Sequence, residues 1–201
     1  MVQVKKIEKR NAILKSAYRL FKRKGYISTT TAEIAVGAKV SESNLYLYFN
    51  SKFDILYNLF EPWIQKRIQA LEIEIANEPH PRARLRILLT ALWKEIPRDD
   101  NGFNNNMMQA VSTLGRREYN PKLLKWVEKK VEDMILNTVS NKRRTVLSKG
   151  DLARVLVLAQ DGFVMQAHLD GPADCSDQTI ELFCDLILGE SGSQSRMTRV
   201  P

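Results

Sequence analysis

Cysteine and histidine are nearly missing from this 201-residue chain, with two of each: Cys175, Cys184, His80 and His168. These four residues fall at no metal-ligand spacing, so no metal site is assigned. There is no His-Glu-x-x-His run, Ser-His-Asp order, paired acidic dyad or glycine-rich phosphate loop. His80 stands in a proline-flanked connection, and His168 lies near the end of a helix. With histidine and cysteine this scarce and no catalytic motif in place, the expectation is that the chain is not an enzyme. No catalytic residue and no cofactor is assigned. Long apolar runs are also absent: none reaches the roughly 18 residues needed to span a bilayer. The first ten residues are charged, with no apolar stretch behind them, unlike a secretory signal. The expectation is a cytoplasmic protein with reduced thiols and no membrane partner. Strand-like alternation is scarce, and no Asn-Gly or Asp-Gly hairpin turn joins two β-branched runs, so the fold class is all-α.

What the chain does have is a sizeable apolar content, 44%, and a net charge of +8. That apolar fraction suffices for a buried core. The charge is unevenly placed. Residues 1–60 carry 11 Lys and Arg against 4 Asp and Glu, whereas residues 61–201 carry 20 against 19. A basic module followed by a balanced one points to two compartments with different partners, and nucleic acid is the commonest polyanion for the first.

Helical periodicity runs through the chain. Ile7, Leu14, Ala17, Tyr18 and Phe21 recur at helical spacing over residues 5–24, and Gly25 stops that helix. Thr30 is the expected N-cap of a helix over 31–38, with Glu33 as its capping-box partner. Val40 plugs a turn, and Ser41 caps a short helix over 42–48 whose Leu45 and Phe49 face inward. Ser51 opens a longer helix over 52–76, in which Pro62 predicts a kink or break. Further helices are expected over 82–96, closed by Pro97, then 103–114 after a polar loop, and 121–139. A basic connection at 141–144 follows. Two final helices are expected, one capped by Ser148 and closed at residues 170–172, one capped by Ser176 or Asp177 and ending at Gly189.

Two short helices joined by a tight turn and braced by a third make a helix-turn-helix, in which the second short helix enters the major groove. Here the bracing helix is 31–38 and the reading helix is 42–48. Asn44 can pair with adenine through two hydrogen bonds, and Leu47 can touch a thymine methyl. Thr30, Lys39, Ser41, Tyr46, Tyr48 and Lys52 suit phosphate oxygens, which fix position rather than sequence. Ser43 lies on the same exposed face, beside Glu42.

Residues 10–56 resemble the DNA-binding domain of the tetracycline-repressor (TetR) family. The resemblance rests on Arg10, Ile13, Leu14, Ala17, Leu20, Phe21, Gly25 and Tyr26 in the first helix, and on Thr29-Thr30-Thr31, Glu33, Ile34 and Ala35 in the second. It continues through the turn Ala38-Lys39-Val40-Ser41 and the run Leu45-Tyr46-x-Tyr48-Phe49-x-Ser51-Lys52. Four positions depart from that pattern. Lys39 replaces a turn glycine, at a cost of roughly 1–2 kcal/mol for a left-handed conformation. Ser43-Asn44 replace Gly-Thr, Leu47 replaces a basic residue, and Phe53 replaces a glutamate.

The resemblance implies three regions: a DNA-binding domain over 1–52, a ligand-binding and dimerisation domain over 53–189, and a tail over 190–201. It implies a sequence-specific regulator bound to double-stranded operator DNA as a homodimer, and a repressor released by a small effector. The alternative is a protein of the same fold acting in chromosome organisation or division. The last two helices of such a protein form the dimer interface, which here assigns Leu152, Val155, Leu156, Ala159, Phe163, Ile180, Phe183 and Ile187. Trp63, Trp93, Phe103, Met107, Met108, Trp126 and Phe163 are the candidate lining of an effector pocket, since flexible methionine and rigid tryptophan suit an apolar ligand. The same residues would also serve as filled core. Arg116 and Arg117 would face that pocket's mouth or solvent.

Overall fold

The computed structural model describes residues 2–99, 102–115, 120–148, 151–170 and 175–190. The described elements are helical: α1 (Val2–Lys24), α2 (Thr31–Gly37), α3 (Glu42–Tyr46), α4 (Lys52–Asn77), α5 (Pro81–Thr90), α6 (Ile96–Asp99), α7 (Phe103–Ser112), α8 (Lys122–Leu136), α9 (Asn141–Leu147), α10 (Leu152–Asp170) and α11 (Asp177–Leu188). A π-helical turn, Ala91–Glu95, joins α5 to α6. Arg116 and Arg117, the expected stop at residues 171–172 and the tail from residue 191 lie outside the described residues.

The chain forms two compact units. One contains Met1–Ile68 and Asp99–Lys125, the other Gln69–Arg98 and Trp126–Pro201. The division therefore falls inside α4 rather than at residue 52. The reason lies in the first unit's core. Ile13, Ala17 and Phe21 of α1, Ile34 and Ala35 of α2 and Leu45 of α3 share one buried cluster with Ile55 and Leu56 of α4 and Phe103 and Ala110 of α7. The helix-turn-helix thus takes its floor from residues far along the chain. Tyr18, Phe60, Trp63 and Phe103 line that floor with ring centroids 5.5–6.4 Å apart. Ring pairs at such separations add attraction beyond their buried area.

Local chemistry explains the joints. Thr30 accepts from the Glu33 backbone N–H while the Glu33 carboxylate accepts from the Thr30 N–H, a complete capping box. At the other end of α2, Val40 N–H bonds Ala35 C=O and Lys39 N–H bonds Val36 C=O, which is a Schellman closure. That closure holds Lys39 at φ 58°, the left-handed conformation in which the resembled family has glycine. Gly37 has a different reason to be glycine: a Cβ there would stand 2.3 Å from Ser16 Oγ, so the bare backbone sets how closely α2 lies on α1.

Several sequence expectations are corrected. Pro62 neither breaks nor ends α4, which runs through it to Asn77. A helix tolerates the missing N–H where packing on both sides fixes the chain, and Leu59, Trp63 and Ile64 pack around this proline's turn. Pro97 does not close the fifth helix. The π turn ahead of it, in which Ile96 N–H reaches back to Ala91 C=O, re-phases the ladder and lets Pro97 sit in the first turn of α6. Residues 141–144 are helix rather than connection, because Ser140 N-caps α9 through the Arg143 N–H. Ser148 then stands at the C-cap of α9, and α10 begins at Leu152.

The second unit centres on Trp93, which is 1% exposed. Its Nε1–H donates to Leu156 C=O at 3.1 Å, and its ring meets Phe183 edge-on at 4.8 Å and Phe163 at 5.6 Å. One indole thereby joins the π turn to α10 and α11. Charges hold the outer edge of the same packing: Arg82 and Arg86 of α5 pair with Glu181, Arg82 also with Asp185 and Glu190, and Lys94 pairs with Asp177. These partners keep the Arg82 guanidinium protonated well above its already high ordinary value. Arg143 closes α11 by donating to the Leu186 and Ile187 carbonyls beneath the left-handed Gly189. Trp93→Ala is expected to lower the unfolding free energy by about 3–5 kcal/mol, read from urea denaturation followed by circular dichroism. A loss under about 1 kcal/mol would show that the indole is not the centre of this unit.

Candidate nucleic-acid interface

The candidate reading surface is built on α2, the turn and α3. Leu45 and Phe49 are fully buried, so the opposite face of α3 must look outward. Ser41 caps this helix by accepting from the Asn44 N–H at 3.2 Å. Its hydroxyl also lies 3.0 Å from that of Ser43. Lys39 is exposed at the turn, Leu47 is 75% exposed just after the helix, and Val36 is 77% exposed on α2. Asn44 is half-buried. Ser41 thus stands against both Ser43 and Asn44, with Lys39 before it and Leu47 after it exposed. Tyr48 is half-buried and packs against the core of this unit.

A polar strand of side chains stitches α3 to α2. The Tyr46 hydroxyl donates to Thr31 Oγ1 at 3.3 Å, and the Thr31 hydroxyl donates to Glu42 Oε1 at 2.5 Å. The Lys24 ammonium donates to the Glu33 carboxylate, and Thr30 adds its hydroxyl and backbone N–H. Together these hold the Glu33 carboxyl down at about 2 against its ordinary 4.5, with the Lys24 bond as the largest cause.

Lys52 differs from its expected role. Its ammonium donates to the Tyr26 carbonyl at 2.8 Å and the Thr29 carbonyl at 2.7 Å, and lies 4.2 Å over the Tyr26 ring. Burial is the main reason that its pKa is lowered, with the Lys24 charge second. This lysine clamps the α1–α2 connection to the start of α4. The family-like position suggests a phosphate contact, and nothing in sequence reveals the two carbonyls waiting below it. Arg10 has a similar inward role: it bonds Asn58 Oδ1 and lies 5.3 Å over the Phe49 ring. Thr31 and Glu42 are the residues that sequence reasoning left unassigned. The signal is only a threonine in a threonine run and an acid in a helix whose surroundings are basic.

The candidate pocket residues do not come together within one unit. Trp63, Phe103 and Met107 belong to the aromatic floor of the first unit, where half-buried Met108 also lies. Trp93 and Phe163 pack on each other in the second, and Trp126 lies there beneath the Lys130 ammonium, 5.9 Å from its ring centre. The second unit has an open groove of about 470 Å³ lined by Glu72, Ile73, Ile75, Ala76, Arg84, Asp133, Met134, Asn137 and Thr138. Of the eight interface candidates, Leu156, Ile180 and Ile187 are buried inside their own unit. Those three are core, a correction to the interface assignment. Leu152, Ala159, Phe163 and Phe183 are half-buried, and Val155 is 55% exposed. The apolar side chains that α10 and α11 leave outward are Val155, Leu158, Met165, Leu169, Leu182 and Leu186. Both cysteines are buried thiols, and burial pushes Cys184 up to about 11. Among the described residues, no cluster of three His, Cys, Asp or Glu could hold a metal, and no helix is long and apolar enough to cross a membrane.

Residues 13–58 match the family model described as bacterial regulatory proteins, tetR family. That likeness is confined to the N-terminal part of the chain. An uncharacterized HTH-type transcriptional regulator of Bacillus subtilis, YuxN, is 36% identical over 90 residues, which cover 44% of this chain and 31% of that one. HbdR, an HTH-type transcriptional regulator of an Aromatoleum species, is 37% identical over 78 residues, covering 39% and 34%. The match thus spans about a third of the length of these relatives. The fold is also that of the transcriptional regulator FadR of Bacillus subtilis, solved in complex with stearoyl-CoA: TM-score 0.61 at 18% identity, covering 90% of this chain and 98% of that one.

Two outcomes test this geometry. Lys52→Met should lower the stability of the tetR-type domain by about 2 kcal/mol, because two carbonyls lose a charged donor. A simple phosphate contact would leave the melting temperature unchanged. Carbon-13 titration of the Glu33 carboxyl should give a pKa of about 2. Because that value is depressed on folding, the stability that the Lys24–Glu33–Thr30 cluster contributes is fully present above pH 4.5 and fades as pH falls through 2. A titration near 4.5 would mean that the cluster does not persist in solution.

Proposed function

We propose that this protein is a ligand-responsive, sequence-specific transcriptional regulator that binds operator DNA as a homodimer and is released by a small effector. The observation that carries this reading is the short helix α3, capped and anchored by its buried face, which leaves Ser43 and Leu47 exposed and Asn44 half-buried beside a turn bearing Lys39. The positive charge concentrated in residues 1–60 supports it, since phosphate attraction provides most non-specific affinity. Asn44 reads adenine, and Thr30, Lys39, Ser41 and Tyr46 fix register on the backbone. Two copies are supported by the apolar side chains that α10 and α11 turn outward, and by the two half-sites that such domains read together.

An effector acts through α4. That helix is unbroken from Lys52 to Asn77, with residues 52–68 in the first unit and 69–77 in the second. A ligand that displaces its second half moves Lys52, and with it the Tyr26 and Thr29 carbonyls that seat the helix-turn-helix. The groove beside Ile73 and Met134 offers room for part of such a ligand, and the acyl-CoA bound by Bacillus subtilis FadR makes long-chain acyl thioesters the first class to try. By linkage, an effector weakens DNA binding only by the factor by which DNA weakens effector binding.

The test is fluorescence anisotropy with the duplex upstream of the protein's own gene against a scrambled duplex, at near-physiological salt. Binding at least about a thousandfold tighter to the first, with two subunits or a multiple per site, is the expected result. Equal, salt-sensitive binding to both duplexes would overturn local regulation and favour an architectural role. Stearoyl-CoA added to the specific complex tests release in the same cuvette. An unchanged signal at saturating ligand removes that effector class.

A further inference from the structure

Glu42 is an anomaly in a basic domain. It stands exposed in the first turn of the reading helix, on the surface that must approach a polyanion. A carboxylate there repels phosphate, so its presence calls for a compensating partner on the DNA. Its position is not left to chance: Oε1 accepts from the Thr31 hydroxyl, which in turn accepts from the Tyr46 hydroxyl. Glu42 makes no other hydrogen bond among the described residues, so Oε2 remains available as an acceptor.

We propose that Glu42, held by Thr31, is a specificity-determining residue that accepts from the N4 amino group of a cytosine in the major groove of each half-site. The inference rests on the DNA-reading proposal above. The chemistry narrows the base. A carboxylate can only accept, and the major groove offers two amino donors, cytosine N4 and adenine N6. Adenine N6 lies beside the N7 acceptor of the same ring, which repels a second oxygen. Guanine presents two acceptors and thymine one acceptor with a methyl group, so neither tolerates the carboxylate. Cytosine alone presents a donor without an adjacent acceptor on its own ring. Asn44, two residues along the helix, presents both a donor and an acceptor, and reads adenine at a different base pair. The acid thus discriminates by attraction to one base and by repulsion from the rest.

Selection of bound duplexes from a random pool, with the full chain as wild type, Glu42→Gln and Glu42→Ala, tests the assignment. Wild type is expected to enrich cytosine at one position per half-site, by on the order of tenfold over other bases. Glu42→Ala should lose that preference alone, keep the remainder of the site, and bind scrambled DNA several-fold more tightly. Glu42→Gln, which adds an amide donor for N7, should shift the position toward adenine. The wild-type profile unchanged in Glu42→Ala would overturn the proposal, as would loss of preference for a base other than cytosine. A wild-type selection that enriches no sequence at all overturns the DNA-reading proposal itself. That outcome differs visibly from a specific motif indifferent to Glu42.

Discussion

A helix of five residues has no stability of its own in water, since nucleation costs more than one turn returns. Everything the first unit can do depends on how α3 is nevertheless held. Leu45 and Phe49 are driven into a cluster shared with α1, α2, α4 and α7, and that burial fixes which side chains face outward. The Ser41 cap sets its start, and the Lys39 closure sets the angle at which it leaves α2. Lys39 adopts a conformation that a glycine would adopt without strain. The surrounding hydrogen bonds, Val40 to Ala35 and Lys39 to Val36, over-determine the turn and hold the lysine in it.

The second unit solves a different problem, namely how to hold amphipathic helices together through a segment that departs from α-helical geometry. The π turn before Pro97 carries Trp93 into the centre, where its one polar atom meets the Leu156 carbonyl. A buried indole N–H without a partner would oppose the gain from burying the ring. The ion pairs along α5 and α11 lie at or near the surface and are individually weak. They matter more for register, because Arg82 bridges residues from 181 to 190 and favours one rotation of α11 over its neighbours.

Much of the N-terminal domain was legible from local rules. Gly25, the Thr30–Glu33 capping box and the Ser41 and Ser176 caps are interactions over three or four residues, and sequence displays both partners. Helix existence was legible for the same reason. Helix continuity at Pro62 and Pro97 was not, because a proline's effect depends on what packs around the turn it weakens. Residues 141–144 are helix for a related reason: a run of like charge looks like a connection until a cap and a neighbouring helix end give it partners. The face that α10 presents was also misjudged. Its stripe is apolar nearly all round, so periodicity could not separate the side turned toward Trp93 from the side bearing Val155, Leu158 and Met165.

The functional side chains divide along the same line. Which side chains α3 and its turn leave exposed follows from the helical repeat of a short element with two buried anchors, and sequence displays it for Lys39, Ser41, Ser43 and Leu47. The family likeness of residues 13–58 was also present in the order and spacing of residues. What Lys52, Thr31 and Glu42 do was decided by tertiary structure. The bonds of Lys52 reach 23 and 26 residues back, and that from Thr31 to Glu42 spans 11. A side chain's type says which bonds it can make. Only the assembled fold decides whether a carbonyl, a hydroxyl or solvent stands within reach of it.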